Sequence, residues 1–303
     1  MRFYVQKDED NNAAFKGGRN PFIYPIEGTI YTKSVGDLNY DTHVEVQFTS
    51  DVSGDAIVSR NPTEIDFYGH DNGGIVMVQE IASGVQLDVG SLTASGGANN
   101  TISGLNTTPT DYRAILKCEV LSAQQRTKSL DTVIDEVVNI HSNGNRITFA
   151  NEDVYDIISI KEVGAGSDYT FSDAELSRIV LDTGARDYFY VNGRATGLSN
   201  VGVGSGTNRQ FKVTYRYYVH SALTETSQHF SVNSYMTDHS NDLSGIKGHT
   251  SSAGVEYNLH NCIDFRVKRS ELSSNGRNPV NPFGRIQFEF ETYMPRVDRV
   301  YLT

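Results

Sequence analysis

From Phe211 to His220 the chain alternates strictly, with Phe211, Val213, Tyr215, Tyr217 and Val219 on one parity and Lys212, Thr214, Arg216, Tyr218 and His220 on the other. A period of two is the pattern of an extended strand with one buried and one wet face, because successive side chains leave the pleat on opposite sides. GRIQFEFETY (Gly284 to Tyr293) and HVEVQFT (His43 to Thr49) read the same way. The stretch from Val180 to Tyr235 supplies the strongest of these strands, and the rest of the chain is organised around it. The 17 tyrosines, 14 phenylalanines and 27 glycines, against 7 prolines and no tryptophan, agree with that reading. Aromatic side chains pack well on pleated surfaces, and glycine serves turns that need positive φ. The expectation is an all-β fold with at most short helical turns.

With 303 residues there is room for two domains, each able to bury a core. Residues 1–25 are polar and irregular and read as an N-terminal arm or linker. Residues 26–125 hold strand-like runs at Thr29 to Thr32, His43 to Thr49, Glu64 to Tyr68, Ile75 to Ile81, Val85 to Val89 and Arg113 to Leu121. The turn formers GHDNGG (Gly69 to Gly74) read as a hairpin connection, and Thr93 to Thr110 as a surface loop with room for one strand edge. Roughly seven short strands in about 100 residues predict a β-sandwich of immunoglobulin or fibronectin type. Residues 126–303 form a second β-rich domain in tandem, and the strand-like end YLT suggests a longer polypeptide. Within it, the spacing of Val133, Ile134, Val137 and Val138 favours a helix over a strand for Asp131 to Ile140. Asn151 reads as the cap of a single turn over Glu152 to Tyr155, and Ser172 with Glu175 has capping-box spacing.

Charge and patterning exclude several classes. The formal charge is −11 with no basic block, so the electrostatic footprint of nucleic-acid binding is missing. No apolar run reaches membrane-spanning length, so membrane insertion is not expected. MRFYVQKDED carries no secretory h-region, so the sequons at Asn99 and Asn106 are not read as glycosylated. Cys118 and Cys262 lack metal spacing and read as two buried thiols of a reducing compartment, with a single disulfide left open.

The sharpest chemical motif is Asp182-Thr183-Gly184 behind the apolar Ile179, Val180 and Leu181. Aspartic proteases use that triplet, because two adjacent carboxyls cannot both ionise and share one proton. The polar-then-strand continuation ARDYFYVNGR points instead to a strand end followed by a turn. VGVGSG (Val201 to Gly206) precedes a strand, where a phosphate-cradling loop needs a helix, so it reads as a connection and no cofactor is expected. His220, His229, His239, His249 and His260 show no helical ligand spacing, and no metal is expected.

Several strings then occur in a fixed order: RTKSL (Arg126 to Leu130), ANEDVYDIISI (Ala150 to Ile160), LDTGARDYFY (Leu181 to Tyr190), FKVTYRYYVHS (Phe211 to Ser221), HFSVNSY (His229 to Tyr235), NLHNCIDFR (Asn258 to Arg266) and TYMPRVDRVYLT (Thr292 to Thr303). Together they resemble a region of the large virion structural proteins of contractile-tailed bacteriophages, the baseplate and tail-fibre-network components. The resemblance covers residues 120–303 well and the first 120 residues loosely. It departs after DFR, where Val267 stands in place of the family's usual proline. It implies a non-enzymatic assembly module of tandem β-sandwiches, made in the bacterial host cytoplasm and resident in the virion tail. Its implied partners are other tail or baseplate proteins and further copies of itself, trimers being the fibre-like expectation.

In NCIDFR, Asp264 and Arg266 share one face, and in MPRVDRV so do Arg296 and Asp298, with Arg299 on the other. These five are the candidate subunit-interface or structural ion-pair residues, Asp264 with Arg296 being the simplest pairing. Two other classes compete with the assembly module. A receptor- or glycan-binding adhesin would use exposed Tyr188, Tyr190 and Tyr218 clustered at an open groove. A hydrolase would use Asp182, or, as a tailspike, a solenoid repeat that the sequence does not show.

Overall fold

The computed structural model describes residues 2–5, 22–26, 31–60, 64–141, 145–164, 168–203, 209–235, 246–273, 279–281 and 284–292. Among them strands dominate, and helix is confined to one four-residue turn, Asp173–Leu176, and 3-10 turns of three or four residues. The fold is all-β, as the alternation predicts. No helix among the described residues is long and apolar enough to cross a membrane.

The longest strand, Thr32–Thr49, lies antiparallel between Asp111–Gln125 and Ile286–Thr292. Ile65–Phe67 and Ile75–Glu80 also pair with Asp111–Gln125, and Arg2–Val5 pairs with Ile286–Thr292. One half of Thr32–Thr49 sends Val44 and Val46 into a core shared with Leu116 and Cys118 of its own sheet and with Val58 and Ile102 of a three-stranded sheet. Two sheets with one core between them make a sandwich. A second core lies between the four-stranded sheet containing Lys128–Asn139, Gln210–His220 and Val154–Val163 and the three-stranded sheet of Arg146–Glu152, Asn192–Thr196 and Val180–Asp182.

A third core joins these two. Val35, Leu38 and Tyr40 from the other half of Thr32–Thr49 meet Tyr218, Val232, Tyr235, Ile263, Phe265 and Phe288. Strand pairings cross residue 125 to build it: Ile23–Pro25 with Cys262–Asp264, Thr32–Thr49 with Ile286–Thr292, and Asp111–Gln125 with Ser227–His229. The sheet of the first sequence unit thus takes strands from the second, which the tandem reading did not anticipate.

Other local expectations change for identifiable reasons. Lys128–Asn139 is a strand, not a helix. Asp135 has a φ of 54° inside a bulge between Val133 and Glu136, so the alternation changes phase mid-strand and imitates helical spacing. Glu152 to Tyr155 is not a capped turn. Arg146–Glu152 ends there, Asp153 occupies the left-handed region at φ 56°, and Val154–Val163 begins. Val85 to Val89 forms only an isolated bridge, Gln79 to Gln86. The stretch 93–110, read as a surface loop with one strand edge, contains the strand Asn99–Ser103, which buries Ile102. The capping box does form: the Glu175 carboxylate accepts from the Ser172 N–H at 2.8 Å.

Gln210–His220 shows the most consequential difference. Phe211, Val213 and Tyr215 are buried as the parity predicts, but Tyr218 and His220, from the opposite parity, are buried as well. The strand passes from one core to the next, and the side that is wet at Arg216 is covered at Tyr218.

Candidate functional site

Between these cores a set of ionisable side chains is buried. Lys128 opens its strand and is 1% exposed. Its Nζ donates to Asp153 Oδ2 at 2.7 Å and to the Tyr190 hydroxyl at 2.9 Å. The rings of Tyr190, Phe230, Tyr235 and Tyr218 surround it, with centroids 4.2, 4.6, 5.3 and 5.6 Å from the nitrogen. Aromatic faces carry the negative end of the ring quadrupole, so such a cage suits a cation that has lost its water.

The network extends from both partners. Asp153 Oδ2 lies 2.8 Å from His220 Nε2. The Tyr190 hydroxyl donates to Asp264 Oδ2 at 2.7 Å. Arg266 holds Asp264 in a fork, Nε to Oδ1 at 2.9 Å and Nη2 to Oδ2 at 2.8 Å, and also donates to the Tyr190 hydroxyl at 3.0 Å and the Arg186 carbonyl at 3.0 Å. Beside it, fully buried Arg126 pairs with Glu271 at 2.6 Å and lies over the Phe230 ring. Lys128 and Arg266 balance Asp153 and Asp264, and buried charges are tolerable only when paired and hydrogen-bonded in this way.

Burial sets the protonation states. It would raise the Asp153 carboxyl, but the Lys128 ammonium and His220 more than offset it and hold the group well below the usual carboxylate range. Burial lowers Lys128 against the pull of Asp153 and Asp264. Asp264 is raised by burial and lowered further by Arg266, with a net downward shift. His220 is pushed down to about 4 by burial and by Lys128, so it is neutral at neutral pH. Nearby His229 is pushed down to about 3 by burial alone, and neither of its ring nitrogens has a partner.

A cavity of about 70 Å³ adjoins the network, lined by Lys128, Asp153, Tyr155, Tyr218, Tyr235 and Lys247 among others. That is space for a few waters.

The expected residues distribute as follows. Asp264 and Arg266 are brought together, and they pair with each other and not with a charge on a neighbouring strand. Arg296, Asp298 and Arg299 lie outside the described residues, so the Asp264–Arg296 pairing does too. Tyr188 is 51% exposed, whereas Tyr190 and Tyr218 are core residues. His249 lies 3.0 Å from Asp187, and His239 is outside the described residues. Among the described residues no group of three or more His, Cys, Asp or Glu side chains could hold a metal ion. Cys118 and Cys262 are buried free thiols, pushed up to about 12 by burial.

Asp182 is engaged by a guanidinium. Arg186 donates to its two oxygens at 2.8 and 2.6 Å, and its carboxyl accepts the Gly184 N–H at 3.0 Å. Arg186 holds the carboxyl below its ordinary range. Gly184 is required by the turn: its φ is 86°, and a Cβ would sit 1.9 Å from the Val191 carbonyl oxygen. Gly184→Ala is therefore expected to lower stability by at least ~2 kcal/mol, by positive-φ strain and a backbone clash. Asp182→Asn, which removes only a half-exposed pair, should cost about 1 kcal/mol or less. Urea midpoints of the two variants check the contrast.

Arg126, Lys128, Asp153 and Glu271 are members that sequence reasoning did not single out, and His220 was weighed only as a metal ligand. A usable signal was present for one: a lysine inside the ordered string RTKSL, at the start of a strand.

No family model matches the chain, and no curated protein or solved structure matches it significantly.

Proposed function

We propose that this chain is a non-enzymatic structural component of a bacteriophage tail, in the baseplate or a tail-fibre assembly, acting through contacts between subunits. One observation carries the reading. Six of the ordered strings that resemble tail proteins each deliver a member of the buried network: Arg126 and Lys128, Asp153, Tyr190, Tyr218 and His220, His229 and Tyr235, Asp264 and Arg266. Residue types that could do chemistry are used to lock three cores together, as a load-transmitting part requires. Exposed Ile134, Val137 and Ile158, on the two strands flanking Gln210–His220, offer apolar surface for a neighbouring subunit.

A receptor- or glycan-binding module is the second reading, favoured by the tyrosines Tyr155, Tyr190, Tyr218 and Tyr235 at one cavity. The cavity is small, about 70 Å³, which ranks this reading second.

The test is the absolute mass of the purified chain in solution, with Asp182→Asn alongside. A defined homo-oligomer, unchanged in the variant and inert towards a test protein, is expected. A dimer whose peptide cleavage disappears in the variant would replace this reading with an aspartic protease.

A further inference from the structure

We infer that Lys128 and Asp153 are a modification site, at which the two side chains condense into an intramolecular amide with loss of water. The inference is independent of the tail reading and rests on four features of the site.

The first is contact. Lys128 Nζ stands 2.7 Å from Asp153 Oδ2, and both groups are anchored. Lys128 sits in register opposite His220. Asp153 is held by main-chain hydrogen bonds, Tyr218 N–H to its carbonyl at 3.0 Å and Val154 N–H to the Thr183 carbonyl at 2.9 Å. Its backbone lies in the left-handed region, and such conformations persist only where the surroundings enforce them. Holding two reacting groups together replaces the entropy cost of bringing them together in solution.

The second is burial. The amine is 1% exposed inside four aromatic rings. In water an amine and a carboxylic acid stay ionised and do not condense. Burial presses the amine towards its neutral, reactive form, while Asp153 is held ionised by Lys128 and His220 until a proton passes to it along the hydrogen bond from Lys128.

The third is a proton path. Lys128 Nζ donates to the Tyr190 hydroxyl, which donates in turn to the Asp264 carboxylate. The fourth is an exit, since the cavity is lined by both Lys128 and Asp153 and has room for the water released.

The reaction balances without any co-reactant. The Lys128 ammonium passes one proton along its hydrogen bond to Asp153 Oδ2, leaving a neutral amine and acid. The nitrogen lone pair attacks Cγ, the N–C bond forms, and the C=O bond opens to a tetrahedral centre. A second proton moves from nitrogen through the Tyr190 hydroxyl to Asp264, and the same chain returns a proton to the tetrahedral centre, where Oδ2 takes it up. Oδ2 leaves as water, held by His220 Nε2 at 2.8 Å, and the carbonyl re-forms at Oδ1. One ammonium and one carboxylate become one secondary amide and one water, and nothing is oxidised or reduced. The bond closes the loop from residue 128 to residue 153, a constraint that acts on the unfolded chain as a disulfide does.

The experiment is the intact mass of the full-length protein in denaturant, followed by peptide mapping. The expected mass is lower than the sequence mass by one water, with a branched peptide joining Lys128 to Asp153. Asp153→Ala should show the full mass of its sequence, and Asp153→Asn a loss of one ammonia, because an amide leaving group departs as ammonia. Tyr190→Phe, which breaks the proton path, should leave a larger uncondensed fraction at a given time after synthesis. A wild-type chain at its full sequence mass would show that the pair stays ionic and would overturn the inference. A water lost from any other pair of residues would overturn it equally.

Discussion

Asp264→Ala is expected to destabilise the fold by about 3–5 kcal/mol, the usual cost of leaving one member of a buried ion pair without its partner. Arg266 is wholly buried, and Asp264 answers its guanidinium through both carboxylate oxygens. With the carboxyl gone, the remaining acceptors are the Tyr190 hydroxyl and the Arg186 carbonyl, neither of which carries a charge. The Tyr190 hydroxyl also loses the oxygen it donates to. Replacing both residues, Asp264→Leu with Arg266→Met, removes the charge together with its counter-charge and should cost clearly less than the single change. Urea unfolding of the two variants decides the matter. A single variant no worse than the double would mean that the pair is not what keeps Arg266 inside.

Acid should unfold the chain earlier than its carboxylates alone would predict, because two buried imidazoles stay neutral in the folded state. His229 is held down to about 3 and His220 to about 4, against about 6.5 in an unfolded chain. Both folded values are depressed, so below about pH 6.5 the unfolded chain takes up protons that the folded chain refuses. Stability is therefore complete above that pH and falls by about 1.4 kcal/mol per pH unit for each histidine as pH drops. Between pH 6.5 and pH 5 the pair together should remove ~4 kcal/mol, a large share of an ordinary domain's stability. Asp264, whose folded value is also depressed, adds to the loss in the same direction below about pH 4. His229→Leu should flatten the slope by one proton. A wild-type slope of less than one proton in that window would contradict neutral burial of these rings.

These two effects share a cause that the sequence displays only in part. Asp264 and Arg266 were legible as a charged pair on a strand, because NCIDFR separates apolar from charged positions. That they answer each other, in a fully buried place, was not, since a two-residue spacing is equally suited to a wet sheet face. His229 reads as one more polar residue in HFSVNSY, and its burial depends on Phe265, Arg126 and the strands that carry them. The DTG triplet shows the reverse: a motif associated with catalysis, whose carboxyl is taken up by Arg186 and whose glycine is demanded by the Val191 carbonyl.

By itself the sequence determined the class of fold, because period-two alternation with aromatic and β-branched residues can be buried only as paired strands. It also determined the one helical turn at Ser172–Glu175, whose capping box is local chemistry that needs no distant partner. Only the tertiary structure decided which face of Gln210–His220 is covered at each end, because covering is supplied by strands far away in sequence. It alone placed Lys128 against Asp153, 25 positions apart. Two backbone irregularities interrupt the strands around this pair, the bulge at Asp135 and the left-handed Asp153. Each is a single backbone conformation enforced by pairing on both sides, and neither residue type announces it.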